Sequence, residues 1–153
     1  MTKILVTGGV GFIGSHTVVE LMQAGYEPII IDNLSNSSIN VLDGIEKITG
    51  KRPFFAQVDC RDKAAIDQVL KQQGPIKAII HFAASKAVGE SVEKPLLYYR
   101  NNLVSLLNLL ELMQENSIEH LVFSSSCTVY GQPEVLPVTE SAPIQPALSP
   151  YGN

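Results

Sequence analysis

A glycine-rich turn near the start of the chain constrains its fold more than any other feature. The stretch Gly8-Gly9-Val10-Gly11-Phe12-Ile13-Gly14 directly follows a short apolar run and opens a helical pattern. Two phosphate groups can approach a backbone only where Cβ atoms do not shield its N–H groups. The order of strand, glycine turn and helix therefore predicts a dinucleotide site rather than a purely structural turn. In such a site Gly8 allows the tight turn, Gly11 admits the pyrophosphate, and Gly14 lets helix and strand pack closely.

Five short apolar runs alternate with helical patterns along the chain. Such runs are typical of parallel strands that are covered on both faces. The predicted strands are Lys3–Val6, Pro28–Ile31, Phe54–Val58, Ala78–Phe82 and His120–Phe123, and the predicted helices are Phe12–Ala24, Lys63–Gln73 and Pro95–Asn116. This alternation predicts an α/β fold with a doubly wound parallel sheet of Rossmann type, in the order 3-2-1-4-5. Residues 132–150 contain five prolines and are expected to form an ordered loop or a boundary.

Composition and charge exclude several classes of protein. Hydrophobic residues make up 45% and charged residues 17% of 153 residues, a mixture too apolar for a disordered chain. The net charge is −4 and Lys and Arg do not cluster, so no nucleic-acid partner is expected. No apolar run approaches the roughly 18 residues of a membrane span, and no leader pattern precedes the first strand. The cytoplasm is therefore the predicted location, with no membrane partner.

The two cysteines, Cys60 and Cys127, match neither a disulfide framework nor a metal-binding spacing, and no metal site is predicted. Both thiols are expected to pack as small apolar groups in a reducing compartment.

Two acidic residues come at the ends of predicted strands. Asp32 ends the second strand 18 residues after Gly14, where a carboxylate accepts hydrogen bonds from the ribose next to adenine. The alternative is a turn aspartate that leads into Asn33. A carboxylate at this position repels a 2′-phosphate, so NAD is favoured over NADP. Asp59 ends the third strand before Arg61, and it suits either a contact with the adenine edge or the cap of the next helix.

Longer motifs resemble the extended short-chain dehydrogenase/reductase family, in particular its members that act on nucleotide sugars. The motifs are TGGVGFIGSH, IDNL, HFAA, KAVGES, YYRNN and SSSCTVYG. KAVGES and the triple serine are the most specific of these, whereas the glycine spacing is common to the whole superfamily. The resemblance covers the whole chain. It implies an NAD-dependent enzyme that interconverts UDP-galactose and UDP-glucose by transient oxidation at sugar C4.

The same resemblance assigns roles to single residues. Ser126 matches the catalytic serine, and Tyr151 matches the tyrosine that takes the proton of the sugar's 4-hydroxyl. A tyrosine is a weak base at neutral pH, so positive charge nearby is expected to favour its phenolate. The positions that match NAD-contacting residues of the family are Gly8, Gly11, Phe12, Ile13, Gly14, Asp32, Asn33, Asp59, Cys60, Phe82, Ala83, Lys86, Asn101 and Ser124.

The chain departs from the family pattern at three points. The motif's lysine falls at position 155, whereas the chain ends at Asn153. Residues 1–153 are therefore expected to be an NAD-binding domain that is truncated before the substrate domain, and to be inactive by themselves. Val10 and Phe12 stand where the family usually has a smaller residue and a tyrosine, and both changes bear only on cofactor affinity.

Alternative functions and roles stay open on the residues alone. One is a sister enzyme, either a uronate epimerase or a nucleotide-sugar 4,6-dehydratase. Dehydratases usually carry Asp-Glu where this chain has Cys127-Thr128, which favours epimerisation. Another is a non-catalytic NAD-binding module. In the family the long Pro95–Asn116 helix pairs with the helix after Tyr151 to form the seam of a homodimer. Its leucines serve either that seam or the core: Leu96, Leu103, Leu106, Leu107 and Leu110.

Overall fold

A parallel five-stranded sheet is the centre of the fold in the computed structural model, which describes residues 1–153. The chain forms two units, one made of residues 1–84 and 104–124 and the other of residues 85–103 and 125–153. All five strands belong to the first unit. They are β1 (Lys3–Thr7), β2 (Glu27–Asp32), β3 (Phe54–Gln57), β4 (Ile76–His81) and β5 (His120–Phe123).

The strand order is β3-β2-β1-β4-β5, and every neighbouring pair is parallel. The predicted doubly wound sheet in the order 3-2-1-4-5 is confirmed. Thr7 at the end of β1 is in register with Ile31 of β2 and His81 of β4. The segments that follow these three strands therefore all leave the sheet at its carboxyl edge, the edge formed by the carboxyl ends of the strands. Ligands bind at this edge in this class of fold.

Side chains of β1 alternate between two cores on opposite faces of the sheet. Leu5 packs in a cluster with Ile66 of one helix and Leu109 of another. Val6 packs in the second cluster, which includes Val18 and Leu42. Burial on both faces accounts for the continuous apolar character of the central strands.

Five α-helices accompany the strands. They are α1 (Phe12–Gln23), α2 (Val41–Thr49), α3 (Lys63–Gln73), α4 (Val88–Glu93) and α5 (Pro95–Glu115). The three helices predicted from the sequence are confirmed to within one residue at their ends. The sequence interpretation missed α2 and α4, which have only nine and six residues. A short 3-10 helix, Cys127–Tyr130, was also missed. Residues 132–150 contain no helix or strand, as their prolines predict.

Exposure corrects three expectations. β5 is the outermost strand on one side of the sheet. Its residues Val122 and Phe123 are exposed, so this strand is not covered on both faces. The thiol of Cys60 is buried in the core as predicted, but Cys127 is exposed, and its predicted packing is wrong. A core role is also wrong for four leucines of α5, which are all exposed: Leu96, Leu103, Leu107 and Leu110.

None of the helices has the length and apolar character that crossing a bilayer requires.

Candidate functional site

The glycine turn connects β1 to α1 by a short hydrogen-bonded loop. Gly8 has a φ of 68° in the left-handed region, and its N–H donates to the carbonyl of Ile31 at 2.8 Å. The N–H of Gly11 donates back to the carbonyl of Gly8 at 3.0 Å. Glycine suits the first position because a side chain at such a φ is strained.

Neighbouring backbone atoms leave no room for side chains at two of these glycines. A Cβ atom added to Gly14 would lie 2.2 Å from the carbonyl oxygen of Gly8. A Cβ atom on Gly8 would lie 2.8 Å from the nitrogen of Ala83. The close packing predicted for Gly14 is therefore present, although its partner is the turn itself rather than a strand.

The first turn of α1 is open to a ligand. Gly11 is its N-cap, and no side chain caps the helix. Phe12 and Ile13, in the first turn, have exposed side chains. The first N–H groups of a helix have no partner within the helix, and they form the positive end of its dipole. Together with the missing Cβ atoms, these groups form a cradle that suits a pyrophosphate.

Asp32 ends β2 at the same edge of the sheet and is only 8% exposed. Its Oδ1 atom accepts hydrogen bonds from the N–H of Leu34 at 2.9 Å and from the hydroxyl of Ser37 at 2.8 Å. Asp32 is therefore a turn aspartate, as the alternative interpretation has it. Because both bonds use Oδ1, Oδ2 is left for a ligand, and the ribose contact stays a prediction.

Asp59 is held between two neighbours after β3. Its carboxylate accepts from the guanidinium of Arg61 at 2.7 and 3.0 Å, and from the amide of Asn33 at 3.2 Å. The bonds to Arg61 hold the pKa of this carboxyl well below its usual range. The alternative that Asp59 caps α3 is wrong, because Asp62 is the N-cap and accepts from the N–H of Ala65 at 3.0 Å. The adenine contact of Asp59 stays a prediction.

A buried polar pair, which the sequence interpretation missed, lies beneath the turn. The Oγ1 atom of Thr7 and the Nδ1 atom of His81 are 2.6 Å apart, and Thr7 Oγ1 also accepts from the N–H of Ala83 at 3.2 Å. Burial lowers the pKa of His81 to about 4, so its ring is neutral at pH 7. The only signal in the sequence was that both residues lie in family motifs, since they are 74 positions apart.

Cys60, Phe82 and Ser124 also lie at or near this edge. Burial, followed by the charge of Asp59, raises the pKa of the Cys60 thiol to about 12, so it stays protonated at neutral pH. Because this side chain lies in the core, a cofactor contact of Cys60 would come from its backbone. The N–H groups of Phe82 and Ser124 donate to the carbonyls of Thr7 and His81, both at 3.1 Å, and so continue the ladder of the sheet.

Ser126 is fixed by its own turn in the second unit. It is the N-cap of the 3-10 helix, and its Oγ atom accepts from both the N–H and the hydroxyl of Thr128, at 3.2 and 2.9 Å. In the sequence Thr128 is notable only as one of the two positions where dehydratases carry Asp-Glu, so its contact with Ser126 is not predicted.

Tyr151 is held by α4 and by the start of α5, which belong to the same unit. Its N–H donates to the hydroxyl of Ser91 at 3.3 Å, and its ring meets the ring of Tyr98 edge-on at 6.3 Å. Tyr98 is buried, donates its hydroxyl to Glu90 at 2.9 Å and accepts from the N–H of Ala87 at 3.1 Å. The KAVGES motif thus supports the predicted catalytic tyrosine, a role that its sequence did not reveal.

Lys86 and Asn101 complete the predicted residues of the second unit. Lys86 is exposed. Asn101 donates its amide to the hydroxyl of Ser85 at 3.1 Å, and Asn102 bonds both the N–H and the carbonyl of Ser85. These bonds fix the segment that precedes Lys86 against α5.

The structure groups the predicted residues by unit. The first unit gathers the glycine turn and the acidic residues at the carboxyl edge of its sheet. The second unit links Ser126 to Thr128, and Tyr151 to Ser91. Lys86 and Asn101 belong to the second unit as well.

Comparison with known proteins gives concordant matches. A family model described as GDP-mannose 4,6 dehydratase matches residues 5–153. The UDP-glucose 4-epimerase of Dictyostelium discoideum is 52% identical over 99% of this chain and 43% of its own length. The enzyme of that name from Bacillus subtilis (strain 168) is 52% identical over 98% of this chain and 44% of its own.

Solved structures with a similar fold are also 4-epimerases of UDP-sugars. UDP-glucose 4-epimerase from Bifidobacterium longum in complex with NAD+ and UDP has a TM-score of 0.93 and 48% identity, over 99% of this chain and 45% of its own. The UDP-Glc/GlcNAc 4-epimerase from Campylobacter jejuni has a TM-score of 0.88 and 35% identity, with the same coverage. The chain spans less than half the length of these relatives. It belongs to the family that the GDP-mannose 4,6 dehydratase model describes, within the extended short-chain dehydrogenase/reductases, and is similar to UDP-glucose 4-epimerases over nearly its whole length.

Proposed function

We propose that the full-length protein that contains this chain binds NAD and interconverts UDP-galactose and UDP-glucose, whereas residues 1–153 have no turnover by themselves. The observation that carries this proposal is the identity of 52% to two UDP-glucose 4-epimerases over at least 98% of the chain. The solved relative with a TM-score of 0.93 is in complex with NAD+ and UDP, which supports the same cofactor and the same class of substrate here.

The residues of the first unit fit the cofactor. The glycine turn would hold the pyrophosphate, because added Cβ atoms would fill the cradle at Gly8 and Gly14. Asp32 would accept from the adenine ribose through Oδ2, and its negative charge disfavours the 2′-phosphate of NADP. When bound, NAD supplies the hydride acceptor and donor for C4 of the sugar.

Two residues of the second unit would act on the sugar. Tyr151 would take the proton of the 4-hydroxyl and return it after the ketone has been reduced on its other face. Ser126 would donate a hydrogen bond to the same oxygen. General acid–base catalysis of this kind contributes roughly 10² to 10⁴ to a rate.

The name of the matching family model raises dehydration as a second candidate. Elimination of water across C5 and C6 needs an acid and a base, which the family's dehydratases provide as Asp-Glu before V-Y-G. This chain has Cys127-Thr128 there, and neither side chain is a carboxylic acid. Epimerisation is therefore the better-supported reaction.

The function is tested by incubating the full-length protein with UDP-galactose and NAD and following products by NMR and mass spectrometry. Epimerisation gives UDP-glucose at unchanged mass, whereas elimination loses one water. Tyr151→Phe is expected to lower kcat at least about 100-fold, while Tyr26→Phe, a surface change, keeps it. Binding of NAD without turnover would instead indicate a non-catalytic module.

The cofactor is tested by Asp32→Asn, which retains an oxygen for the turn but removes the charge. Hydrogen bonds to charged groups contribute about 1.5–3 kcal/mol, so NAD should bind at least about 10-fold more weakly while NADP loses less. Calorimetric titration measures both dissociation constants, with Asp67→Asn on α3, which is half-buried and pairs with Lys71 outside the candidate site, as the control. An unchanged NAD-to-NADP ratio in Asp32→Asn would contradict the ribose contact.

The assembly and location proposed are a homodimer in the cytoplasm. The exposed leucines of α5 support the dimer, since an apolar helix face of this kind marks an interaction surface. The free thiols of Cys60 and Cys127 are consistent with a reducing compartment.

A further inference from the structure

We propose that Thr128 is a positioning residue that commits the Ser126 hydroxyl to act only as a hydrogen-bond donor toward the substrate. The catalytic meaning of this role rests on the proposed function. The role itself rests on three residues of the second unit: Ser126, Thr128 and Gly152.

Counting hydrogen bonds shows why the serine becomes a pure donor. A serine hydroxyl has one proton and two lone pairs. Both lone pairs of Ser126 Oγ are engaged, one by the N–H of Thr128 at 3.2 Å and the other by its hydroxyl at 2.9 Å. The Ser126 proton is then the only hydrogen-bonding capacity left on this side chain.

The surroundings of Thr128 hold its hydroxyl in place. Its carbonyl accepts from the N–H of Gly131 at 3.1 Å, which closes the 3-10 turn. On its other side lies Gly152, where an added Cβ would be 3.2 Å from Thr128 Cβ and 3.3 Å from its Oγ1. A β-branched side chain has few χ1 rotamers, and in the observed one the Thr128 hydroxyl donates to Ser126 Oγ. Thr128 therefore joins the Ser126 turn to the residue that follows Tyr151.

This arrangement decides where the substrate's proton goes. Ser126 can donate to the 4-oxygen both when it is a hydroxyl and when it is a ketone. It cannot accept the hydroxyl proton, because no lone pair of Oγ is available. The proton must therefore pass to Tyr151, so the two residues have distinct roles that do not interchange.

The test uses Thr128→Val and Thr128→Ser in the full-length protein. Valine keeps the shape and the N–H but removes the hydroxyl donor, whereas serine retains it. We expect Thr128→Val to lower kcat for UDP-galactose about 10- to 100-fold with KM within about threefold, because a small misplacement costs rate rather than binding. We expect Thr128→Ser to stay within about threefold of the unmodified protein.

A double-mutant cycle with Ser126→Ala separates positioning from a structural role. If Thr128 acts through Ser126, the valine change should lower kcat no further once Ser126 is alanine. An undiminished effect in that background, or a kcat for Thr128→Val within twofold of the unmodified protein, overturns the proposal.

A crystal structure of Thr128→Val provides a readout that does not depend on turnover. We expect Ser126 to populate a second χ1 rotamer, with the thermal midpoint unchanged to within about 2 °C. A single unchanged rotamer overturns the proposal. A protein that shows no epimerase activity in any form refutes the proposed function instead, while the rotamer still tests the positioning role.

Discussion

Single Cβ atoms decide whether the glycine turn can form at all. Gly14→Ala would place a methyl group 2.2 Å from the backbone oxygen of Gly8, which cannot move away as a flexible side chain could. We expect this variant to lose about 1–3 kcal/mol of unfolding free energy and to bind NAD at least about 10-fold more weakly, since the distortion lies in the cradle. Chemical denaturation and calorimetric titration measure the two effects.

Gly44 is the matched control for that substitution. It also lies inside a helix, α2, but no atom is within 4 Å of an added Cβ. Gly44→Ala should therefore stabilise the protein by up to about 1 kcal/mol through helix propensity and leave NAD binding unchanged. Equal stability of the two alanine variants would contradict the steric argument.

For single residues, the sequence predicts a role where the neighbours that define the role are close in the chain. The glycine spacing and Asp32 could be identified because turn, helix start and strand end are contiguous in the chain. Thr7 and His81 could not, because their contact depends on the register of two strands far apart in sequence. The cap of α3 illustrates a smaller ambiguity, since Asp59 and Asp62 both precede the helix and only the backbone geometry selects Asp62.

Between elements, the Thr7–His81 contact links β1 to β4 and makes that junction sensitive to pH. The pKa of His81 is about 4 in the folded protein, against an ordinary value of 6.5. Between pH 6.5 and 4 the imidazole of His81 binds a proton in the unfolded chain but not in the folded protein. Stability should therefore fall as the pH drops from 6.5 to 4, by about 3 kcal/mol in all, and be unaffected by this group above pH 6.5.

Denaturant unfolding at several pH values between 4.5 and 6.5 measures this dependence. His81→Asn keeps a polar partner for Thr7 but does not titrate, so its stability should be nearly flat across that range. His120→Asn, an exposed position at the start of β5, should follow the unmodified protein. The idea is refuted if the slope of His81→Asn matches that of the control.

The length of a helix decided whether the sequence could predict it. All five strands and the three helices of eleven residues or more were predicted. The helix α2 has an amphipathic pattern but only nine residues and an internal glycine, and α4 has only six residues, so both are too short for a helical period to stand out. Packing holds α2 in place, since Leu42 and Ile45 enter the second core. The exposed face of β5 could not be anticipated either, because its apolar sequence is identical in character to that of a covered strand.

For the whole molecule, α5 carries the remaining question of assembly. Its buried side chains include Tyr98, Leu109 and Leu112, which repeat at helical spacing on one side. The exposed leucines repeat on the opposite side, so the helix is apolar on both. One apolar side is accounted for by packing within the chain. A second supports the homodimer proposed above, in which the same face of another copy would cover it, as a two-fold interface requires.

A charge placed in that face tests the proposed homodimer. Leu107→Arg would bury an unpaired guanidinium between two copies, which costs several kcal/mol, so we expect the dimer dissociation constant to rise more than about 100-fold. Sedimentation velocity of the full-length protein measures it across a concentration series. Ile48→Arg, an equally apolar and exposed position on α2, controls for added charge and should remain dimeric. Since the α5 face lies away from both cores, Leu107→Arg should keep the thermal stability of a folded monomer; a dimer that survives the substitution would show that copies associate through another surface.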